Sequence, residues 1–66
     1  MIKYVVKIIQ PSENVYAIFD GNKIFTTENK FDATRFDDEN EAVFKAIDAV
    51  MRSGRNIYTT HEAIEV

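Results

Sequence analysis

Phe31-Asp32-Ala33-Thr34-Arg35-Phe36-Asp37-Asp38-Glu39-Asn40-Glu41-Ala42 is the stretch that decides how this chain is built. Ala33 and Phe36, three residues apart, are spaced to tuck into a core from a short helical turn over 31–36. A run of carboxylates follows. Asp38 and Glu41 have the capping-box spacing that opens a helix, with Asp37 as the alternative cap. Beyond them Val43, Ala46, Ile47, Val50 and Met51 recur at i, i+3, i+4, i+7 and i+8, which predicts one apolar stripe along an amphipathic helix. Glu41, Lys45, Asp48 and Arg52 form its opposite face, with Glu41→Lys45 and Asp48→Arg52 in the favourable order. Gly54 is placed to end the helix at C′, with Arg52 near the negative end of its dipole.

Upstream the period changes from helical to alternating. Ile2–Ile9 is rich in β-branched residues and reads as a strand, with Ile2, Tyr4, Val6 and Ile8 on one face and Lys3, Val5, Lys7 and Ile9 on the other. Pro11-Ser12-Glu13-Asn14 is a turn, and 15–19 is a second strand. Asp20-Gly21-Asn22 then accepts the positive φ of a tight hairpin, which returns as a third strand over Lys23–Thr27. In that hairpin Val15, Ala17, Phe19, Ile24 and Thr26 share one face, and Tyr16, Ile18, Phe25 and Thr27 share the other. Downstream of the helix, 57–66 reads as a closing strand in which Tyr58, Ile64 and Val66 share a face, with a kink or bulge expected at Glu62-Ala63. The expected fold is one α+β domain over 1–66: a three- to four-stranded, mainly antiparallel sheet with one long helix on one face, in βββαβ order.

Composition removes several classes of function. Sixty-six residues allow one small core, and such domains gain margin from disulfides, metals or self-association. The chain has no cysteine, so disulfides and thiolate metal sites are out and self-association remains. Absence of cysteine and of a signal-like leader places the protein in the cytoplasm as an expectation, and the apolar run at the N-terminus, broken by Lys3 and Lys7, is too short to cross a bilayer. A net charge of −3 disfavours nucleic acid, which calls for a basic face, and is too small for a DNA mimic.

Reactive constellations are weak. Asp37, Asp38, Glu39 and Glu41 lack the ligand spacing and glycine of a calcium loop, so helix capping is their ordinary role and contact with a basic partner the functional one. His61 is the lone histidine, and in a strand it points away from Glu62, its neighbour. Ser12 and Ser53 sit in turn and helix-end contexts, without a base to activate them. The sequence Arg52-Ser53-Gly54-Arg55 lies at a helix C-terminus, where the dipole repels a phosphate. No catalytic residue, metal ligand or cofactor is expected. The aromatics carry more: both faces of the hairpin are apolar while one helix covers only one face, and Phe44 falls on the flank of the helical stripe. Tyr16, Ile18, Phe25 and Phe44, with Asp37, Asp38 and Glu39, are therefore the candidate partner-binding residues, and a homodimer is expected.

The order of N-terminal strand, hairpin ending Phe25-Thr26-Thr27-Glu28, then Ala33-Thr34-Arg35-Phe36, Asp38-x-x-Glu41-Ala42 and a last strand ending Ile64-Glu65-Val66 resembles a broad group of small bacteriophage accessory proteins. The resemblance spans most of the chain through a loose motif. It implies a module that binds and inhibits a host or defence protein, often as a dimer, and assigns no functional residue. The expected function is thus a non-enzymatic protein-binding module. A small nucleic-acid-binding regulator using the sheet face and a structural or assembly subunit are the alternatives.

Overall fold

A computed structural model describes residues 1–53 and 57–66. The strands are β1 (Ile2–Ile9), β2 (Asn14–Asp20), β3 (Lys23–Thr27) and β4 (Tyr58–Glu65), and the long helix is α1 (Glu39–Ser53). The sheet has four strands in the order β3-β2-β1-β4, and every neighbouring pair is antiparallel. Gly21 and Asn22 close the β2–β3 hairpin between the paired Asp20 and Lys23. Gly21 has φ +59° and no other described residue a positive φ, so the turn is of the II′ kind, with glycine at its first central position. The register Phe19↔Ile24 is the one that the expected sharing of faces in the hairpin requires.

β1 is the spine. It pairs with β4 along its whole length without interruption, from Ile2↔Glu65 to Ile9↔Tyr58. The bulge expected at Glu62-Ala63 is absent, because the β1 partners Val5 and Tyr4 take both residues in register. Its pairing with β2 is brief, limited to Lys7↔Tyr16, Ile8↔Val15 and Ile9↔Asn14. Beyond that point the two strands splay, and residues 34–36 enter the gap. Thr34 donates its N–H to the Ala17 carbonyl (3.2 Å), and its Oγ1 accepts from the Phe19 N–H (2.8 Å). Two residues on, Phe36 and Tyr4 exchange backbone hydrogen bonds of 2.8 and 2.9 Å. The inserted segment thus meets the backbone groups that the opened sheet would leave unpaired.

This insertion corrects the expected helical turn over 31–36. Only Lys30–Asp32 is helical, a 3-10 turn whose cap Asn29 accepts from the Phe31 N–H (3.0 Å), and the chain then runs extended. Ala33 and Phe36 are both buried, as their spacing suggests, but on opposite sides of the sheet. Phe36 joins Val6, Ile8, Val15, Ala17, Ala42 and Ala46 under the helix, whereas Ala33 packs on Val5 and Ile64 on the far side. The far face is therefore not bare. Val5 is fully buried there, covered by the connection that precedes the helix.

Asp38 caps α1, its Oδ1 accepting from the Asn40 N–H at 2.9 Å and its carbonyl from Glu41 and Ala42. The Gly54 end signal lies outside the described residues. The helix lies against β1 and β4. Its buried line is Ala42, Ala46 and Ala49; of the expected stripe Ala46 is buried, Val43 and Val50 are half-buried, and Ile47 and Met51 are exposed.

Candidate functional site

The rotation of α1 about its own axis creates the most unusual surface of the molecule. Three alanines face the sheet, while Phe44, Ile47 and Met51 stand 72, 52 and 78% exposed. Fully burying a large apolar side chain stabilises by about 1.5–3 kcal/mol, and an alanine methyl offers far less. A free-standing fold would gain by turning the other line inward. Polar anchors on the opposite flank hold the helix as it is. The Lys45 ammonium lies 5.6 Å from the centroid of the Phe19 ring on β2. Arg52 pairs with Asp48 (3.0 Å) and donates from Nη1 to the Asn22 carbonyl in the hairpin turn (3.0 Å). The charged flank thus overlooks β2 and β3, and at about 100° per residue Ile47 projects from the other flank, on the β4 side.

β4 is the strand on that side, and it is an edge. Met1 and Val66 exchange backbone hydrogen bonds of 2.9 Å each, and Tyr4 exchanges both of its own with Phe36 on the other side of β1. Antiparallel pairs alternate, so the even residues of β4 turn their backbone groups to β1 and Thr59, His61 and Ala63 turn theirs outward. Among the described residues no strand pairs with that outer edge. It is eight residues long and has no proline, no bulge and no lysine, the features that commonly blunt an edge.

The expected partner-binding residues fall into three places. Asp37 forms an ion pair with Lys3, Asp38 is the helix cap, and Glu39 Oε2 lies 3.0 Å from His61 Nε2. Each acidic residue thus has a partner inside the fold. Tyr16, Ile18 and Phe25 face away from the helix. Tyr16 packs beside Val5 and Ile64, and Phe25 is half exposed. Phe44 alone belongs to the exposed helical surface described above. Ile47 and Met51, assigned to the core by their spacing, are its other members. Their period matches two adjacent lines of the helix, and side-chain size favoured the wrong one.

The far face also carries a charge cluster. Glu62 accepts from Lys30 Nζ (3.1 Å) and from the Tyr16 hydroxyl (3.3 Å), with Lys7 Nζ at 3.7 Å. Burial works to raise the Glu62 carboxyl, but the hydrogen bond and charge of Lys30, the charge of Lys7 and the Tyr16 hydroxyl outweigh it and hold the group below its ordinary value of 4.5. His61 points to the helix side, where it meets Glu39 and the Tyr4 ring at 6.3 Å between centroids. His61 and Glu62 thus lie on opposite faces, as strand alternation requires.

A cleft of about 430 Å³ separates the C-terminal half of α1 from the hairpin, between Ile8, Ile24 and Ile57. The ionisable side chain on its described wall is Arg52, which is held by Asp48 and the Asn22 carbonyl. Among the described residues no three histidine or carboxylate side chains stand close enough to hold a metal, and no helix is long and apolar enough to cross a membrane. No protein-family profile, curated protein or solved structure matches this chain.

Proposed function

We propose that the chain is a non-enzymatic, cytoplasmic protein-binding module whose working surface is the exposed outer face of α1. One observation carries this reading: the helix buries alanines and presents Phe44, Ile47 and Met51 to solvent. Large apolar side chains grouped on one exposed surface mark a site that another protein covers. The resemblance to phage accessory proteins extends the proposal to a host or defence protein as the bound and inhibited target. The nucleic-acid alternative is weakened by the lysines. Lys3, Lys7 and Lys30 all stand against carboxylates and offer no free basic row to a phosphate backbone.

Affinity capture from host lysate tests the proposal, using wild type beside the double variant Phe44→Ser, Met51→Ser. The expected result is a protein retained in stoichiometric amount by the wild type and lost by the variant. Equal retention by both, or none by either, contradicts it.

A further inference from the structure

We infer that the partner of the β4 edge is a second copy of this chain, docked by antiparallel pairing of β4 with β4 about a two-fold axis through His61. The inference rests on the binding-module reading and places a second copy beside its working surface, leaving Phe44 and Met51 to the captured protein. The backbone argues first. The outward groups are those of Thr59, His61, Ala63 and, at the strand end, Glu65, and the first three form the central run. An antiparallel register that sets His61 opposite the second copy's His61 places Thr59 opposite Ala63, so these three outward residues exchange N–H and C=O with the same three residues of the other copy. A two-fold arrangement of this kind closes on itself and leaves no β4 edge for further growth.

Side chains select that register. It sets odd residues against odd, so both helices lie on the same side of the joined sheet. On the helix side the two His61 rings meet, each already beside its own Glu39 at 3.0 Å. On the far side Tyr58 lies opposite the second copy's Ile64, an aromatic against a β-branched residue, and Glu62 lies opposite Thr60. A slip of two residues toward the C-terminus would set Glu62 directly against Glu62, like charges at close range. A slip the other way shortens the paired segment.

The helices complete the contact. Because α1 presents Ile47 on the β4 side, the two-fold brings the apolar flanks of both helices together above the joined strands. A large apolar side chain offers roughly 150 Å². Ile47 and Tyr58 are 52 and 74% exposed, so two copies bring roughly 400 Å² before the strand backbones are counted, toward the roughly 1,200–2,000 Å² of a standard interface. Phe44 and Met51, about 160–180° around the helix from Ala46 and Ala42, point away from the sheet and stay free. Two-fold pairing also adds burial to a small core in which five of the buried residues described, Ala17, Ala33, Ala42, Ala46 and Ala49, are alanines.

Light scattering over a concentration series tests the assignment, with Ala63→Pro and Ile47→Glu beside the wild type. The Ala63 N–H faces outward, so proline there removes a bond to the second copy and none to β1. The wild type is expected at twice the chain mass at high micromolar concentration, and both variants at the chain mass with unchanged circular dichroism. Should Ala63→Pro lose its fold, Ile47→Glu carries the same comparison from an exposed position. A wild type at the chain mass throughout, or a dimer that Ile47→Glu and a folded Ala63→Pro leave intact, overturns the assignment. The binding-module reading would survive either result if capture still depended on Phe44 and Met51, and would fall with it if capture did not.

Discussion

Glu62 shows how one side chain joins parts of the chain that sequence proximity does not connect. It collects Lys7 from β1, Tyr16 from β2 and Lys30 from the 3-10 turn, and so ties the crossing connection to the sheet. Its folded pKa lies below the ordinary 4.5, so the ionised form stabilises the fold. That contribution is complete above about pH 4.5 and is lost as pH falls through the lower, folded value. Glu62→Gln is expected to cost about 1 kcal/mol near neutral pH, with the gap to wild type closing in acid, as urea melts across a pH series would measure. Thr34 is the second such residue. Thr34→Val removes the acceptor of the Phe19 N–H and is expected to cost about 1–2 kcal/mol by the same melts. Neither role is legible in sequence, because residues 15 to 55 positions apart meet only in the folded sheet.

Among the elements, α1 was the easiest to find and the hardest to orient. Asp38 starts it, as the cap spacing indicates, and Asp38→Ala is expected to cost about 1 kcal/mol. The charged flank of Lys45, Asp48 and Arg52 was legible too, although its use as an anchor over the hairpin was not. The buried face was legible only in part, at Ala46 and the half-buried Val43 and Val50, for a physical reason. Ala42, Ala46 and Ala49 repeat with the same helical period as Val43, Ile47 and Val50, about 100° away, and periodicity alone cannot rank two such lines. Substitution separates them. Ala46→Leu overpacks the contact with the sheet and is expected to cost about 1–3 kcal/mol, whereas Phe44→Ser stays within about 0.5 kcal/mol in thermal or urea melts. β1 and β3 were legible to the residue and β2 and β4 to within one, since alternation over a half-buried surface is a strong signal.

For the whole molecule, the α+β class and the order of elements follow from local patterns, whereas the exposed surface depends on how those elements are set against one another. The sheet's far face is apolar in sequence, yet the 30–36 connection covers Val5 and Ile64. Apolar surface is left over on both sides: Ile9, Phe25 and Tyr58 on the far face, and Phe44, Ile47 and Met51 along α1. The captured protein is assigned to Phe44 and Met51 on the outer face of α1, and the second copy to the β4 edge and the Ile47 flank beside it. The most direct test is amide hydrogen exchange along β4 as a function of protein concentration. At low concentration the outward amides of Thr59, His61 and Ala63 are expected to exchange as unbonded groups, while the inward amides of Thr60, Glu62 and Ile64 are protected by β1. Raising the concentration should protect the first three and leave the others nearly unchanged. Exchange of Thr59, His61 and Ala63 that stays fast at every concentration would contradict the account.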